Sequence, residues 1–201
     1  MINMAEKLKI EVFRNKNAEE FTTSLADPAS RAQSGSAAAM SSAMAMSLMK
    51  RVSSVCLEKD ADNERLQWID RNLETLRKYM VQLIDEDVKC RGPLAKAMKE
   101  GGAREIEAAR HPACAICEEI VNMMQQALDL MLEIKGICPK ECVHFIKEAA
   151  YLAYAAIKAS QEFILDMTAY CSDETYLFVT RRENEIVSAQ CEEAFRAVTE
   201  G

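Results

Sequence analysis

The chain has 201 residues, of which 49% are hydrophobic and 28% are charged, and its formal net charge at pH 7 is −7. This length suffices for one well-filled core and the composition is too apolar for a disordered chain, so we expect a single domain over residues 1–201. The 25 basic residues are outnumbered by 32 acidic ones, which excludes nucleic acid as a partner because phosphate binding needs a cationic excess.

The sequence carries no signal for export or membrane insertion. Acids and lysines interrupt the apolar residues at its start, where a secretion signal would need an unbroken apolar stretch. The apolar segment 36–49 contains four serines and is shorter than the about 20 residues of a membrane span. The eight cysteines are interpreted as free thiols, since a chain of this size does not need disulfides to fold. We therefore expect a cytoplasmic protein with no membrane contact.

Long intervals without glycine or proline predict an all-α chain. The polar run 58–63 contains residues that favour caps and turns, and it divides the interval 36–91 into two helices. Tyr176–Thr180 has strand propensity but follows an acidic, capped start, so we assign it to a helix. The predicted helices cover about 16–25, 36–57, 62–91, 104–134, 140–168 and 173–199. We expect an antiparallel bundle of five to six helices.

The predicted helix 36–57 has small side chains on nearly every side, because alanines alternate with serines and methionines. Small side chains let neighbouring helices approach closely. This helix is therefore expected at the centre of the bundle or at a subunit interface.

The predicted helix 62–91 carries an apolar stripe with alternating spacings of three and four residues. The stripe consists of Leu66, Ile69, Leu73, Leu76, Met80 and Leu83. Its next position is Asp87, so this carboxylate is predicted to point toward the packed side, where it is a candidate proton donor or acceptor. The alternatives are an ion pair with a lysine or arginine, or a helix rotation that leaves Asp87 in water. Asp85 falls off the stripe and is expected in solvent.

Four of the cysteines resemble a zinc-binding pattern, as Cys114-x-x-Cys117 and Cys138-x-x-x-Cys142. If 104–134 is one helix, however, Cys117 lies roughly 25 to 30 Å from Cys138, which is too far for a shared ion. We therefore predict buried, reduced thiols and no metal site.

Two other places are candidates for ligand contact. The loop Gln33-Ser34-Gly35-Ser36 leads into the small-residue helix, whose free N–H groups would attract an anion; a plain helix cap is the alternative. His144, near the start of the helix 140–168, could face a cleft, the alternative being a surface or hydrogen-bonded core histidine.

The order of these features resembles a known family. The segments Phe21–Pro28 and Gly35–Ala39 resemble the opening of the formiminotetrahydrofolate cyclodeaminase and methenyltetrahydrofolate cyclohydrolase family. Leu83–Asp87 is similar to the Asp-x-Asp signature late in that family's next long helix, and Pro112 stands where the third long helix of the family opens. The resemblance extends over about residues 16–198.

The resemblance implies an all-helical homodimer that binds a tetrahydrofolate derivative as substrate, without a metal or redox cofactor. The proton donor of the family's Asp-x-Asp falls on Asp87 or Asp85, and the apolar stripe favours Asp87. The loop 33–36 would bind an acidic part of the folate. Lys50, Arg51 and Arg91 are possible partners for its glutamate tail.

The chain departs from the family pattern at several positions. It has Ala32–Ser36 where the family has Pro-Gly-Gly-Gly-Ser, Cys142-Val143 for Ser-Asp, Cys90-Arg91 for Ala-Phe, and Glu162 and Asp166 for an Asn pair. Two functions therefore stay open. One is a methenyltetrahydrofolate cyclohydrolase or formiminotetrahydrofolate cyclodeaminase with an aspartate proton shuttle. The other is a catalytically inactive helical dimer of the same fold that binds a folate-like ligand or a partner protein.

Overall fold

A computed structural model describes residues 12–200, and over that range the chain contains helices and no strand. The α-helices are α1 (Ala18–Ala26), α2 (Ser34–Lys59), α3 (Glu64–Glu100), α4 (Ala103–Lys135), α5 (Val143–Thr168) and α6 (Glu174–Glu200), with 3-10 turns at Phe13–Asn15 and Lys140–Cys142. The all-α prediction is confirmed, including the helical state of the strand-like segment in α6. None of the described helices is long and apolar enough to cross a bilayer.

The first and third α-helices begin at asparagine caps. The side chain of Asn17 accepts a hydrogen bond from the Glu20 N–H at 2.9 Å, and the Glu20 carboxylate accepts one from the Asn17 N–H at 3.2 Å. Asn63 caps α3 by accepting from the Leu66 N–H at 3.0 Å. The predicted break at 58–63 is confirmed, because this cap starts a new helix immediately after the break.

Helix α2 lies at the centre of the bundle, where it packs against α3, α5 and α4. It buries small residues such as Ala39 and Ala45, and α5 presents its own buried alanines toward the core. The Ser41 hydroxyl donates to the Leu152 carbonyl of α5 at 2.9 Å. Such a contact requires two helix backbones to approach closely, and it confirms the predicted central position of the small-residue helix.

Helices α2 and α3 run antiparallel, and so do α5 and α6. Near the turn between α2 and α3, the Ser53 hydroxyl donates to Asp70 at 2.7 Å. Further along the bundle, Lys158 of α5 donates to the Ser188 hydroxyl of α6 at 3.1 Å. Gln161, three residues after Lys158, donates to the carbonyl of Asn184, four residues before Ser188, as expected for an antiparallel pair.

Helix α3 continues beyond its predicted end at residue 91. Pro93 lies inside the helix and has no N–H to donate to the Lys89 carbonyl, which ordinarily ends or kinks a helix. The helix continues because Leu94, 3% exposed, packs into a small second core. The other buried members of that core are Ala113, Cys114 and Met167. Burial of apolar surface therefore outweighs the local cost of the proline.

Pro112 does not open α4, as the resemblance implied, but lies inside it. The helix starts at Ala103, directly after Gly101 and Gly102, and the Gly102 N–H donates to the Glu105 carboxylate at 3.1 Å. The glycine pair, rather than the proline, therefore marks the turn between α3 and α4.

Candidate functional site

Asp87 is fully buried where the start of α2 meets α3. Its exposed fraction is 0%, and its carboxylate accepts hydrogen bonds from the Ser36 N–H, the Ser36 hydroxyl and the Arg91 Nε–H, each at 2.8 Å. The predicted orientation toward the packed side is confirmed, and the carboxylate is ion-paired there with Arg91. Its role in chemistry stays a prediction.

The N-terminus of α2 already holds an anion, which is the Asp87 carboxylate. Since α2 begins at Ser34 rather than at Ser36, the Ser36 N–H belongs to the first turn and has no partner within the helix. A carboxylate at this position is favoured both by the hydrogen bond and by the helix dipole. The expectation that this N–H is free for an external anion is therefore wrong, because the sequence pattern did not reveal how close α3 comes to it.

The guanidinium group of Arg91 lies between Asp87 and an aromatic ring. Its Cζ atom is 3.7 Å from the centroid of the Phe163 ring on α5, and its Nη2 atom is 3.5 Å from the Ser34 hydroxyl. With 4% of its side chain exposed, Arg91 is engaged inside the chain rather than offered to a ligand. The spacing of α5 did not single out Phe163 as part of this site.

Gly35 is needed for the close approach of α2 to α3. A Cβ atom at this position would overlap the Asp87 Oδ1 atom and lie 2.6 Å from the Asp87 Cγ and 3.1 Å from the Arg91 Nη2. No side chain larger than a hydrogen fits without displacing the carboxylate. This contact gives a physical reason for a glycine in a loop that otherwise departs from the family pattern.

Gln33 and Ser34 are exposed and line a groove of about 420 Å³. The remaining lining residues lie between Leu25 and Ala37, on α1, the following turn and the first part of α2. Asp87 is not among them. A small molecule in this groove therefore reaches the predicted loop but not the buried carboxylate in this conformation.

Asp85 is buried, contrary to the expectation that it faces solvent. It is 7% exposed, and its Oδ1 atom accepts hydrogen bonds from the N–H groups of Phe13 at 2.7 Å and Arg14 at 3.2 Å. The Arg14 Nε atom lies 3.2 Å from its Oδ2 atom. The expectation is wrong because the 3-10 turn before α1 folds over α3 at this point, and no pattern within α3 encodes that contact. In this structure Asp85 anchors the turn.

His144 lies at the other end of the bundle from Asp87. It is exposed in the first turn of α5, with its ring centroid 3.9 Å from that of Phe145. The neighbouring Cys142 is close to Cys56, whose pKa is raised by burial and then by the thiols around it. At the rise of an α-helix, Cys56 is roughly 30 Å along α2 from Ser36. His144 therefore does not form one site with the Asp87 cluster, which consists of Asp87, Gly35, Ser36, Arg91 and Phe163.

Lys50 and Arg51, the two cationic candidates on α2, also lie away from Asp87. Lys50 is paired with Asp70 at 2.5 Å, and the Arg51 guanidinium lies 4.8 Å from the centroid of the Phe145 ring. Of the cations proposed for an acidic ligand, the structure places Arg91 alone in contact with the Asp87 cluster.

The cysteines do not converge on one metal ion. Cys117 lies in the middle of α4 and near Arg91, whereas Cys138 and Cys142 follow the C-terminal end of α4 and lie near Cys56. Burial raises the pKa of Cys117 to about 12, so its thiol stays protonated. In the part of the chain that the structure describes, no three potential ligands are grouped closely enough for a metal ion.

Comparison with known proteins gives the chain a family. The family model for formiminotransferase-cyclodeaminase matches residues 17–186. Among solved structures, formiminotetrahydrofolate cyclodeaminase from Thermotoga maritima has the same fold, with a TM-score of 0.85 over 92% of this chain and 95% of that chain, at 20% sequence identity. No curated protein matches the chain. At this identity the structural likeness shows the fold alone, but the family model covers most of the sequence. The chain therefore belongs to the formiminotransferase-cyclodeaminase family.

Proposed function

We propose that the chain converts a tetrahydrofolate one-carbon carrier, as a 5,10-methenyltetrahydrofolate cyclohydrolase or a formiminotetrahydrofolate cyclodeaminase. Membership of the family supports a role in folate one-carbon metabolism. The observation in this chain that carries the proposal is the buried Asp87 carboxylate, held against Gly35 and Ser36 where the loop meets α2.

Both reactions pass through a tetrahedral carbon and require a proton on a departing nitrogen. In the cyclohydrolase, water adds to the methenyl carbon between N5 and N10, and the ring opens to 10-formyltetrahydrofolate. In the cyclodeaminase, N10 attacks the formimino carbon and ammonia leaves. A positioned carboxyl group serves either reaction as general acid and base, and this is the role we assign to Asp87.

The remaining residues of the cluster would position this carboxylate and the substrate. Ser36 and Arg91 fix the two oxygens of Asp87, while Gln33 and Ser34 offer polar contacts in the adjoining groove. We further propose that the protein works in the cytoplasm as a homodimer.

The test follows the ultraviolet absorbance of 5,10-methenyltetrahydrofolate with the wild-type protein, Asp87→Asn and a matched control, Glu86→Gln. Glu86 neighbours Asp87 but is only half-buried, with 47% of its side chain exposed, and it is paired with Lys89 at 2.6 Å. We expect the wild type to remove the methenyl chromophore faster than the spontaneous rate. Loss of the acid–base group should slow turnover about 100-fold or more in Asp87→Asn, while Glu86→Gln keeps the wild-type rate.

This assay needs a check on folding, because Asp87→Asn also removes the buried partner of Arg91. Circular dichroism at the assay temperature establishes that the variant is folded before its rate is interpreted. A wild-type protein that converts neither 5,10-methenyltetrahydrofolate nor formiminotetrahydrofolate would overturn the enzyme proposal.

The second candidate is a non-catalytic protein of the same fold that binds a reduced folate or a partner protein. It is favoured by the burial of the cluster, since Asp87 is 0% and Arg91 4% exposed and neither lines the groove. Calorimetric titration with 5-formyltetrahydrofolate discriminates the two. Binding by a wild type that turns over neither substrate supports the second candidate, and turnover of either substrate excludes it.

A further inference from the structure

Arg91 prevents a ligand from touching Asp87 in this conformation. Ser36 donates both its N–H and its hydroxyl to the Oδ2 atom of Asp87, and the Oδ1 atom accepts from the Arg91 Nε–H. Both carboxylate oxygens are therefore occupied by groups of the chain itself. Because Asp87 is also 0% exposed, a ligand reaches this carboxylate only if one of the surrounding groups moves.

The surroundings of the Arg91 guanidinium suit a planar cation. A carboxylate lies at 2.8 Å from its Nε atom, and the Phe163 ring lies 3.7 Å from its Cζ atom, which combines a charge-assisted hydrogen bond with stacking on an aromatic face. The missing side chain of Gly35 leaves the room that this plane occupies, since a Cβ there would be 3.1 Å from the Nη2 atom. A guanidinium and an amidinium share this planar, delocalised shape.

We propose that Asp87, Gly35 and Phe163 form a cradle for planar amidinium-type cations, that Arg91 fills this cradle in the unliganded chain, and that a ligand reaches Asp87 by displacing Arg91. In this view Arg91 is a positioning residue that gates the carboxylate. Only the identity of the natural ligand rests on the proposed function, because the reacting carbon of both folate substrates is of the amidine type. The cradle itself rests on the contacts of these residues.

The displaced Arg91 side chain would stay within reach of the groove beside α1. Its Nη2 atom is already 3.5 Å from the hydroxyl of Ser34, and Ser34 lines the groove next to α1. A small movement of the Arg91 side chain toward Ser34 would bring the guanidinium to the groove, where it can pair with an acidic part of the ligand.

The test measures the thermal unfolding midpoint of the full-length Arg91→Ala variant. It compares guanidinium chloride at about 20 mM with sodium chloride at equal ionic strength. A cation that binds only the folded form raises this midpoint. Removing the arginine leaves a buried carboxylate unpaired, so the midpoint should fall. Guanidinium should recover at least half of that loss, and sodium should recover none. This guanidinium concentration is too low to denature the protein.

Three controls separate the cradle from a general salt effect. The wild type should respond much less than Arg91→Ala at this concentration, because added guanidinium must compete with the tethered Arg91 side chain. The double variant Asp87→Asn with Arg91→Ala should not respond, because it lacks the carboxylate. Arg77→Ala should not respond either, because it removes a partly exposed ion pair with Glu74, whose two atoms lie 2.8 Å apart.

Equal recovery by sodium and guanidinium, or equal recovery in the double variant, would overturn the cradle. If Arg91→Ala does not fold, Arg91→Gln keeps part of the stem and an amide NH₂ group, and the same titration is made with the smaller cation formamidinium. The cradle is tested by an unfolding midpoint and not by enzyme activity. A wild-type protein that shows no turnover therefore does not affect this test. Turnover without cation rescue retains the enzyme proposal and refutes the cradle.

Discussion

Gly35 and Gly92 are both helical glycines, but they face very different surroundings. A Cβ at Gly35 would meet the Asp87 Cγ at 2.6 Å, whereas a Cβ at Gly92 would find its nearest neighbour, the Cζ of Arg31, at 3.4 Å. Glycine inside a helix costs roughly 0.5–1 kcal/mol relative to alanine. At Gly35 this cost is offset by the contact between α2 and the carboxylate, and at Gly92 no such contact exists.

Alanine substitutions at these two glycines should therefore have opposite effects. Gly35→Ala forces Asp87 out of its position, and overpacking of this kind typically lowers the free energy of unfolding by about 1–3 kcal/mol. Gly92→Ala should raise it by up to about 1 kcal/mol, because alanine restricts the unfolded chain. Urea denaturation of both variants measures the two shifts. A Gly35→Ala protein as stable as the wild type would show that α2 and α3 do not meet as closely as described.

The sequence predicted the burial of Asp87 but not the burial of Asp85. Asp87 was accessible to prediction because it continues a stripe within its own helix, where burial is periodic. The burial of Asp85 depends on a turn 71 residues earlier in the chain, at Arg14, and no local pattern carries that information. The contact between Arg91 and Phe163 could not be predicted for the same reason, because it joins α3 to α5.

The 3-10 turn Phe13–Asn15 is hydrogen-bonded to α3 through the side chain of Asp85. Phe13 contributes to the core with 2% of its surface exposed, and its N–H donates to this carboxylate. Asp85→Ala leaves the two N–H groups without an acceptor, so the free energy of unfolding should fall by about 1–3 kcal/mol. Native-state trypsin cleavage after Arg14 should become faster. The half-buried neighbour Glu86 provides the control, since Glu86→Ala should leave both the stability and the cleavage rate unchanged within error.

Helix ends were predicted well where a cap marks them and poorly where a proline interrupts them. Asn17 and Asn63 act through contacts three residues away, which a sequence displays directly. Pro93 predicts a boundary by its local chemistry, whereas only the family resemblance placed a helix start at Pro112. They lie within helices because the residues beyond or beside them are buried against another element, as Leu94 is. Where local sequence preference predicts the wrong helix boundary, tertiary packing determines whether the helix continues.

The free thiols lie in several separate parts of the bundle. Cys114 and Cys117 pack near the Asp87 cluster, and Cys191 of α6 is buried in the main core. Burial raises their pKa values from 9.0 to about 11 for Cys114, about 12 for Cys117 and about 11 for Cys191. The prediction of free thiols is confirmed, but only five of the eight are buried, since Cys90, Cys138 and Cys171 are partly exposed. The location of each thiol depends on the packing of the helices and could not be predicted from spacing.

These raised pKa values make the stability of the molecule depend on alkaline pH. Above pH 9 the unfolded chain releases thiol protons that the folded chain retains, so the free energy of unfolding is unaffected by these groups below pH 9 and falls as the pH rises toward the folded-state values. For one fully buried thiol the loss between pH 8 and pH 10 is about 1.4 kcal/mol. Cys117→Ala removes one such group, so the stability advantage of the wild type over this variant should shrink by about that amount when urea denaturation is repeated at pH 10 in the presence of a reducing agent. Other groups titrate equally in both proteins and cancel in the difference. A difference that stays constant between the two pH values would mean that the Cys117 thiol is open to water, and that α4 does not pack against α3 and α5 as the structure describes.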